Sequence, residues 1–169
     1  FTSTNIETID ARNDATADVE LDNASGYTTL VASAPGALLE FREITAADGL
    51  SLDVEANSGG NNVSFFFADD ELDGTADAVS SKLSGNSGDF NLDITDGNGT
   101  IETLNIEAAT DNTGTTTLAE DADNVETVNV TGSGDVDLAG GLDGTTIDAS
   151  EATGDVSVVL AAAEQTVTG

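Results

Sequence analysis

Apolar residues along this chain recur mostly at every second position. Leu50, Leu52 and Val54 alternate with Ser51, Asp53 and Glu55, and the same rhythm holds at Phe90, Leu92 and Ile94. It returns in the pairs Val128 and Val130, Val136 and Leu138, and Val156 and Val158. Period two is the mark of a strand with one buried face. Each run is short and is bounded by Gly, Asn, Asp or Ser, residues that favour turns. The pattern predicts an all-β chain.

The runs also share words. Ile6-Glu7-Thr8-Ile9-Asp10-Ala11 recurs as Ile101-Glu102-Thr103-Leu104-Asn105-Ile106 and as Val125-Glu126-Thr127-Val128-Asn129-Val130. A looser copy is Thr145-Thr146-Ile147-Asp148-Ala149. The lag from Leu104 to Val128 is 24 residues and from Val128 to Ile147 is 19. A second series, Leu118, Val136 and Val156, advances by 18 and then 20. Two series moving together by roughly 20 residues describe successive coils of a repeat protein. The expected architecture is therefore a right-handed parallel β-helix, or β-solenoid, with coils of roughly 20 residues. A β-sandwich is the alternative, but it does not require neighbouring strands to share words at a steady lag.

Residues 27–70 are less regular and read as an insertion-like stretch within one solenoid segment spanning 1–169. They hold Tyr27, Pro35 and the run Phe65-Phe66-Phe67. Successive strand residues face opposite sides, so three adjacent Phe cannot all point inward. Phe66 is expected to pack under a loop, a neighbouring coil or another subunit. Leu38 to Ile44 reads as either a helical turn or a bulged strand.

Charge changes the picture more than length does. The chain has 169 residues, 33 Asp and Glu against 3 Lys and Arg, and a net charge of −30. Basic patches for nucleic acid or an anionic membrane are excluded, since the positive inventory is Arg12, Arg42 and Lys82. There is no Cys or His, which removes thiolate and imidazole catalysis, disulfides and ordinary zinc sites. No apolar run is long enough to span a bilayer as a helix. The opening Phe1 and a terminus inside a strand-like pattern suggest a segment of a longer protein.

The remaining chemistry is carboxylate, amide, hydroxyl and glycine. Oxygen-rich turns suit Ca²⁺, which takes six to eight oxygen ligands. Asp69, Glu71 and Asp73, followed by Gly74, place acidic oxygens at alternate positions before a sharp turn. Ser80 stands where an EF-hand loop would need its bidentate Glu. Asp93, Asp96 and Asn98 form a second candidate set, and Glu120, Asp121 and Asp123 a third. Crowded like charges stay compact more readily with a cation between them. Paired carboxylates also serve glycosidases, but catalysis needs one raised pKa in an apolar cleft, and chance pairs abound here. The chain is read as a non-enzyme.

The run from Asp73 to Leu160 resembles bacterial surface-layer proteins of the RTX-related, type I-secreted kind. The words that carry the resemblance are Asp73-Gly74-Thr75-Ala76-Asp77, Ile101 to Ile106, Val125 to Gly132, and Thr146 to Gly154. It implies a parallel β-helix, export to the cell surface without an N-terminal signal, and Ca²⁺-dependent self-assembly of identical subunits into a lattice. Surface polysaccharide is a further expected partner, with no nucleic acid and no direct membrane insertion. The chain departs from the family in lacking the nonapeptide Gly-Gly-x-Gly-x-Asp, of which Gly59-Gly60-Asn61-Asn62 is a fragment. The alternative is the stalk or ligand-binding segment of a large secreted adhesin.

Overall fold

The computed structural model describes residues 2–4, 6–45, 49–69, 71–96, 101–120, 125–140, 146–159 and 165–169; at 2–4, 96 and 120 it describes the backbone alone. Strand follows strand, and no helix occurs among the described residues. One parallel sheet stacks β2 (Thr8–Ala11), β5 (Thr29–Ser33), β7 (Ser51–Glu55), β9 (Ala78–Ser84), β11 (Thr103–Ala108), β13 (Thr127–Gly132), β15 (Thr146–Ala152) and β17 (Thr166–Thr168). A second stacks β3 (Ala17–Glu20), β6 (Leu39–Ile44), β8 (Val63–Phe67), β10 (Phe90–Asp96), β12 (Thr115–Glu120), β14 (Val136–Gly140) and β16 (Val156–Val158). The short strands β1 (Thr2–Thr4) and β4 (Asn23–Ser25) pair with each other apart from both. The chain is a parallel β-solenoid of about six turns.

The coils average about 23 residues, longer than the roughly 20 that the repeated words suggest. The reason lies in the corners, which vary in length while the paired strands do not. Thr127 pairs with Thr146, 19 residues on, whereas Ser51 pairs with Ser80, 29 residues on. The pairings Leu104 with Val128, Val128 with Ile147, and Val136 with Val156 are as the words predict. Two others are not. Leu118 pairs with Gly140 rather than Val136. Ile9 shares a column with Leu30, Leu52, Ser81 and Ile106, so the opening word sits two residues out of step with its copy at Leu104. A slip of two keeps every side chain on its proper face, so the core tolerates it.

Inward residues of both sheets form one continuous core, with Leu52, Val54, Leu104, Ile106 and Val128 from the larger sheet and Phe65, Leu92, Ile94 and Leu138 from the smaller. Residues 27–70 supply β5 to β8 of the same two ladders. Their irregularities are local: a register shift between Phe41 and Ile44, and left-handed backbone at Ala34, Glu43 and Ala56. The stretch from Leu39 to Ile44 is thus a bulged strand. The Phe run resolves by alternation. Phe65 and Phe67 are buried, and Phe65 stacks on Phe41 of the preceding coil with centroids 5.2 Å apart. Phe66 points outward, and the Arg42 guanidinium of the preceding coil lies 4.5 Å over its ring. Glu40 and Asp18 hold that guanidinium from the side.

Candidate calcium turns, the asparagine corner and the outer faces

The first predicted set lies in the connection from β8 to β9. Asp69 and Asp73 are exposed there, and Glu71 is half-buried. Behind this connection is a cavity of about 460 Å³, floored by Leu50, Phe67, Leu72 and Val79 and edged by Glu71 and Asp77. The main-chain N–H of Asp77 donates to the Glu102 carboxylate at 2.8 Å. The Asp77 carboxylate folds back on Gly74, where an added Cβ would sit 2.6 Å from its oxygen. Asp77 Oδ2 is buried and, among the described residues, has no hydrogen-bond partner.

In the second set, Asp93 is half-buried on the outer face of β10, where it accepts a 3.4 Å hydrogen bond from Ser64. Asp96 ends that strand, and its side chain lies outside the described residues, as does Asn98 altogether. In the third set Glu120 ends β12; its side chain, Asp121 and Asp123 likewise lie outside the described residues. Asp70, between Asp69 and Glu71 in the first set, also lies outside the described residues. Among the described residues, no three acidic side chains come together closely enough to hold a metal ion. Nor are the acids confined to corners: Asp18, Glu40, Asp53, Glu107 and Asp137 all stand on strands.

One corner carries a feature that strand periodicity does not reveal. Asn57, Asn86 and Asn112, at 0%, 0% and 2% exposure, occupy the same corner in three successive coils. The N–H of Asn57 donates to Asn86 Oδ1 at 2.9 Å, and the N–H of Asn86 donates to Asn112 Oδ1 at 3.1 Å. Asn86 Nδ2 donates to the Val54 carbonyl and to Asn112 Oδ1, both at 3.0 Å. Buried backbone groups at a corner have no ladder partner, and the amide supplies both a donor and an acceptor to satisfy them. Close behind stand Gly88 and Gly114. A Cβ at Gly114 would lie 2.3 Å from the Gly88 carbonyl oxygen, so the coils stack there only without side chains. The signal in the sequence is the word Asn-Ser/Thr-Gly at 57–59, 86–88 and 112–114.

The outer face of the larger sheet carries a row that runs Val31, Asp53, Lys82, Glu107 from coil to coil. Asp53 is only 6% exposed. Burial pushes its carboxyl above the ordinary 3.8, against the opposing pull of the Ser51 hydroxyl hydrogen bond and the Lys82 charge. A parallel row runs Ser51, Ser80, Asn105, Asn129, Asp148, Thr168. Between β13 and β15 the register shifts, so that Asn129 faces Asp148 but Thr131 faces Glu151. A third row, Asp111, Asp135 and Asp155, stacks three exposed acids at a corner; Asp155 N–H donates to Asp135 Oδ1 at 2.8 Å, and Asp135 N–H to Asp111 Oδ1 at 3.4 Å.

Comparison with known proteins finds no matching family model, no matching curated protein and no matching solved structure.

Proposed function

We propose that this chain is a structural segment of an extracellular bacterial surface layer, a calcium-stabilised solenoid that assembles with identical subunits. The observation that carries the reading is the stacking of its repeated words. Ile101 to Ile106 lies in register under Val125 to Val130, and that in turn under Thr146 to Asp148. Such coils pair strand on strand through backbone hydrogen bonds and make a stiff rod. A rod is what a porous lattice needs from its struts. The words are also those that resemble surface-layer proteins. Calcium enters through charge: a chain carrying −30 repels itself and its copies until cations intervene. The acidic turn with Asp69, Glu71 and Asp73, and Asp93 on the neighbouring strand, are the described oxygen ligands on offer, and assembly would supply the missing ones from another subunit. The role is structural rather than catalytic.

The test is direct. Purified protein is dialysed into millimolar Ca²⁺ and imaged by negative-stain electron microscopy, with melting followed in parallel. Ordered sheets or fibres, a raised Tm, and reversal of both by a chelator are expected. A melting point and an oligomeric state that neither treatment moves would falsify the proposal.

A further inference from the structure

The register shift between β13 and β15 opens a cleft of about 300 Å³ on the outer face of the larger sheet. A bulge re-aims side chains, and here it leaves two successive residues, Ser150 and Glu151, both exposed. The cleft is bordered by Asn105, Asn129, Asp148, Ser150 and Glu151, with Val130 as its floor. Two of these groups are fixed in advance. Asn129 Nδ2 donates to Asn105 Oδ1 at 2.9 Å, which sets the orientation of both amides and leaves an acceptor, Asn129 Oδ1, and a donor, Asn105 Nδ2, for other partners. The Ser150 N–H donates to Asp148 Oδ1 at 2.9 Å, which pins that carboxylate at the strand surface.

Charge and polarity decide what fits. An anion is repelled by Asp148 and Glu151 within a chain of net charge −30. An apolar ligand finds a single buried Val as floor. A bare metal ion finds two carboxylates, one of them already engaged by Ser150. A neutral, hydroxyl-dense ligand meets each group on its own terms, because every hydroxyl both donates and accepts. Vicinal hydroxyls can share one carboxylate, and the amide pair offers an acceptor and a donor beside it. The row of Ser80, Asn105, Asn129, Asp148 and Thr168 continues such groups from coil to coil at about 4.8 Å. That favours a chain of sugars over a single one. We propose that the cleft at Asn129 and Asp148 is a saccharide-binding site, which seats vicinal hydroxyls of a neutral glycan running along the solenoid axis.

The inference is independent of calcium and of lattice assembly, and its test is run in chelator to keep it so. The ¹⁵N-labelled chain is titrated with linear oligosaccharides of glucose, mannose, galactose and N-acetylglucosamine, each to millimolar concentration. At least one is expected to move the side-chain amide signals of Asn105 and Asn129 and the main-chain signal of Ser150, while the buried Asn86 amide stays in place. Asp148→Ala and Asn129→Ala should each weaken that binding tenfold or more, with the dispersion of the remaining signals confirming the fold. Silence with all four sugars overturns the proposal. So does binding whose shifts lie elsewhere, or binding that survives both substitutions.

Discussion

Asn57 and Asn86, 29 residues apart, occupy one corner of adjacent coils, and the N–H of the first donates to the side-chain carbonyl of the second at 2.9 Å. The bond does what no strand can do: it ties the coils together where the ladders break. Asn86→Ala would leave the Asn57 N–H and the Val54 carbonyl without their buried partner. The expected loss is about 2–3 kcal/mol, in line with orphaned buried polar groups. Urea unfolding should show a lower midpoint at an unchanged slope. Asn86→Asp should be worse, because it removes the amide donor and buries a charge.

Gly114 is fixed by contact. A Cβ there meets the Gly88 carbonyl oxygen at 2.3 Å, backbone that cannot swing aside. Gly114→Ala should cost about 1–3 kcal/mol by overpacking and lower the Tm accordingly. Gly169→Ala, with nothing within 4 Å of the new carbon, should leave the melting curve where it is.

Asp53 predicts a pH dependence of unusual sign. Its carboxyl is raised in the folded state, by burial first of all, so above the folded value its ionised form destabilises the native chain. As pH falls through that value, the native state takes up a proton that the unfolded state does not yet hold, and this contribution to stability rises. Below the ordinary 3.8 both states are protonated and the effect levels off. Asp53→Asn should therefore raise the Tm at neutral pH, with the gain fading as pH drops through the folded value toward 3.8. A gain that grows on acidification would contradict the assignment.

Asp135 offers a way to separate charge from hydrogen bonding. Asp135→Asn keeps the Oδ1 that accepts from Asp155 N–H and removes one of three stacked charges. The variant should be more stable by about 0.5 kcal/mol at low ionic strength, and the gain should shrink as salt screens the column.

Much of this architecture is written in the order of side chains. Val128 over Ile147 and Val136 over Val156 follow from alternation and shared words, because a strand whose one face is buried has few registers open to it. The two-residue displacement of Ile9 and the pairing of Leu118 with Gly140 do not follow. Alternation is blind to slips of two, and corner length hides them. The asparagine corner is hidden from alternation for a related reason: Asn57, Asn86 and Asn112 recur at the uneven lags of 29 and 26 residues. Of the candidate metal residues, Asn98, Asp121, Asp123 and the side chains of Asp96 and Glu120 lie outside the described residues. Asp69, Glu71 and Asp73 share one turn, as their spacing implies, whereas the cleft at Asn129 and Asp148 is drawn from three strands and a bulge that no single stretch of sequence displays.

The asparagine corner also makes the rod uneven under load. Coils from Asn57 to Asn112 are held by ladders, amides and a core to which Phe65, stacked on Phe41, contributes. Beyond Asn112 no further asparagine extends the column among the described residues; Gly134 lies close over Thr110, and Gly154 over Gly134. In a stack where each coil leans only on its neighbours, cohesion is a local property. Under a pull along the axis, the coils joined by Asn57, Asn86 and Asn112 have a tie between corners in addition to their ladders. The rod is thus braced at one corner along its middle coils and held by its ladders and core elsewhere.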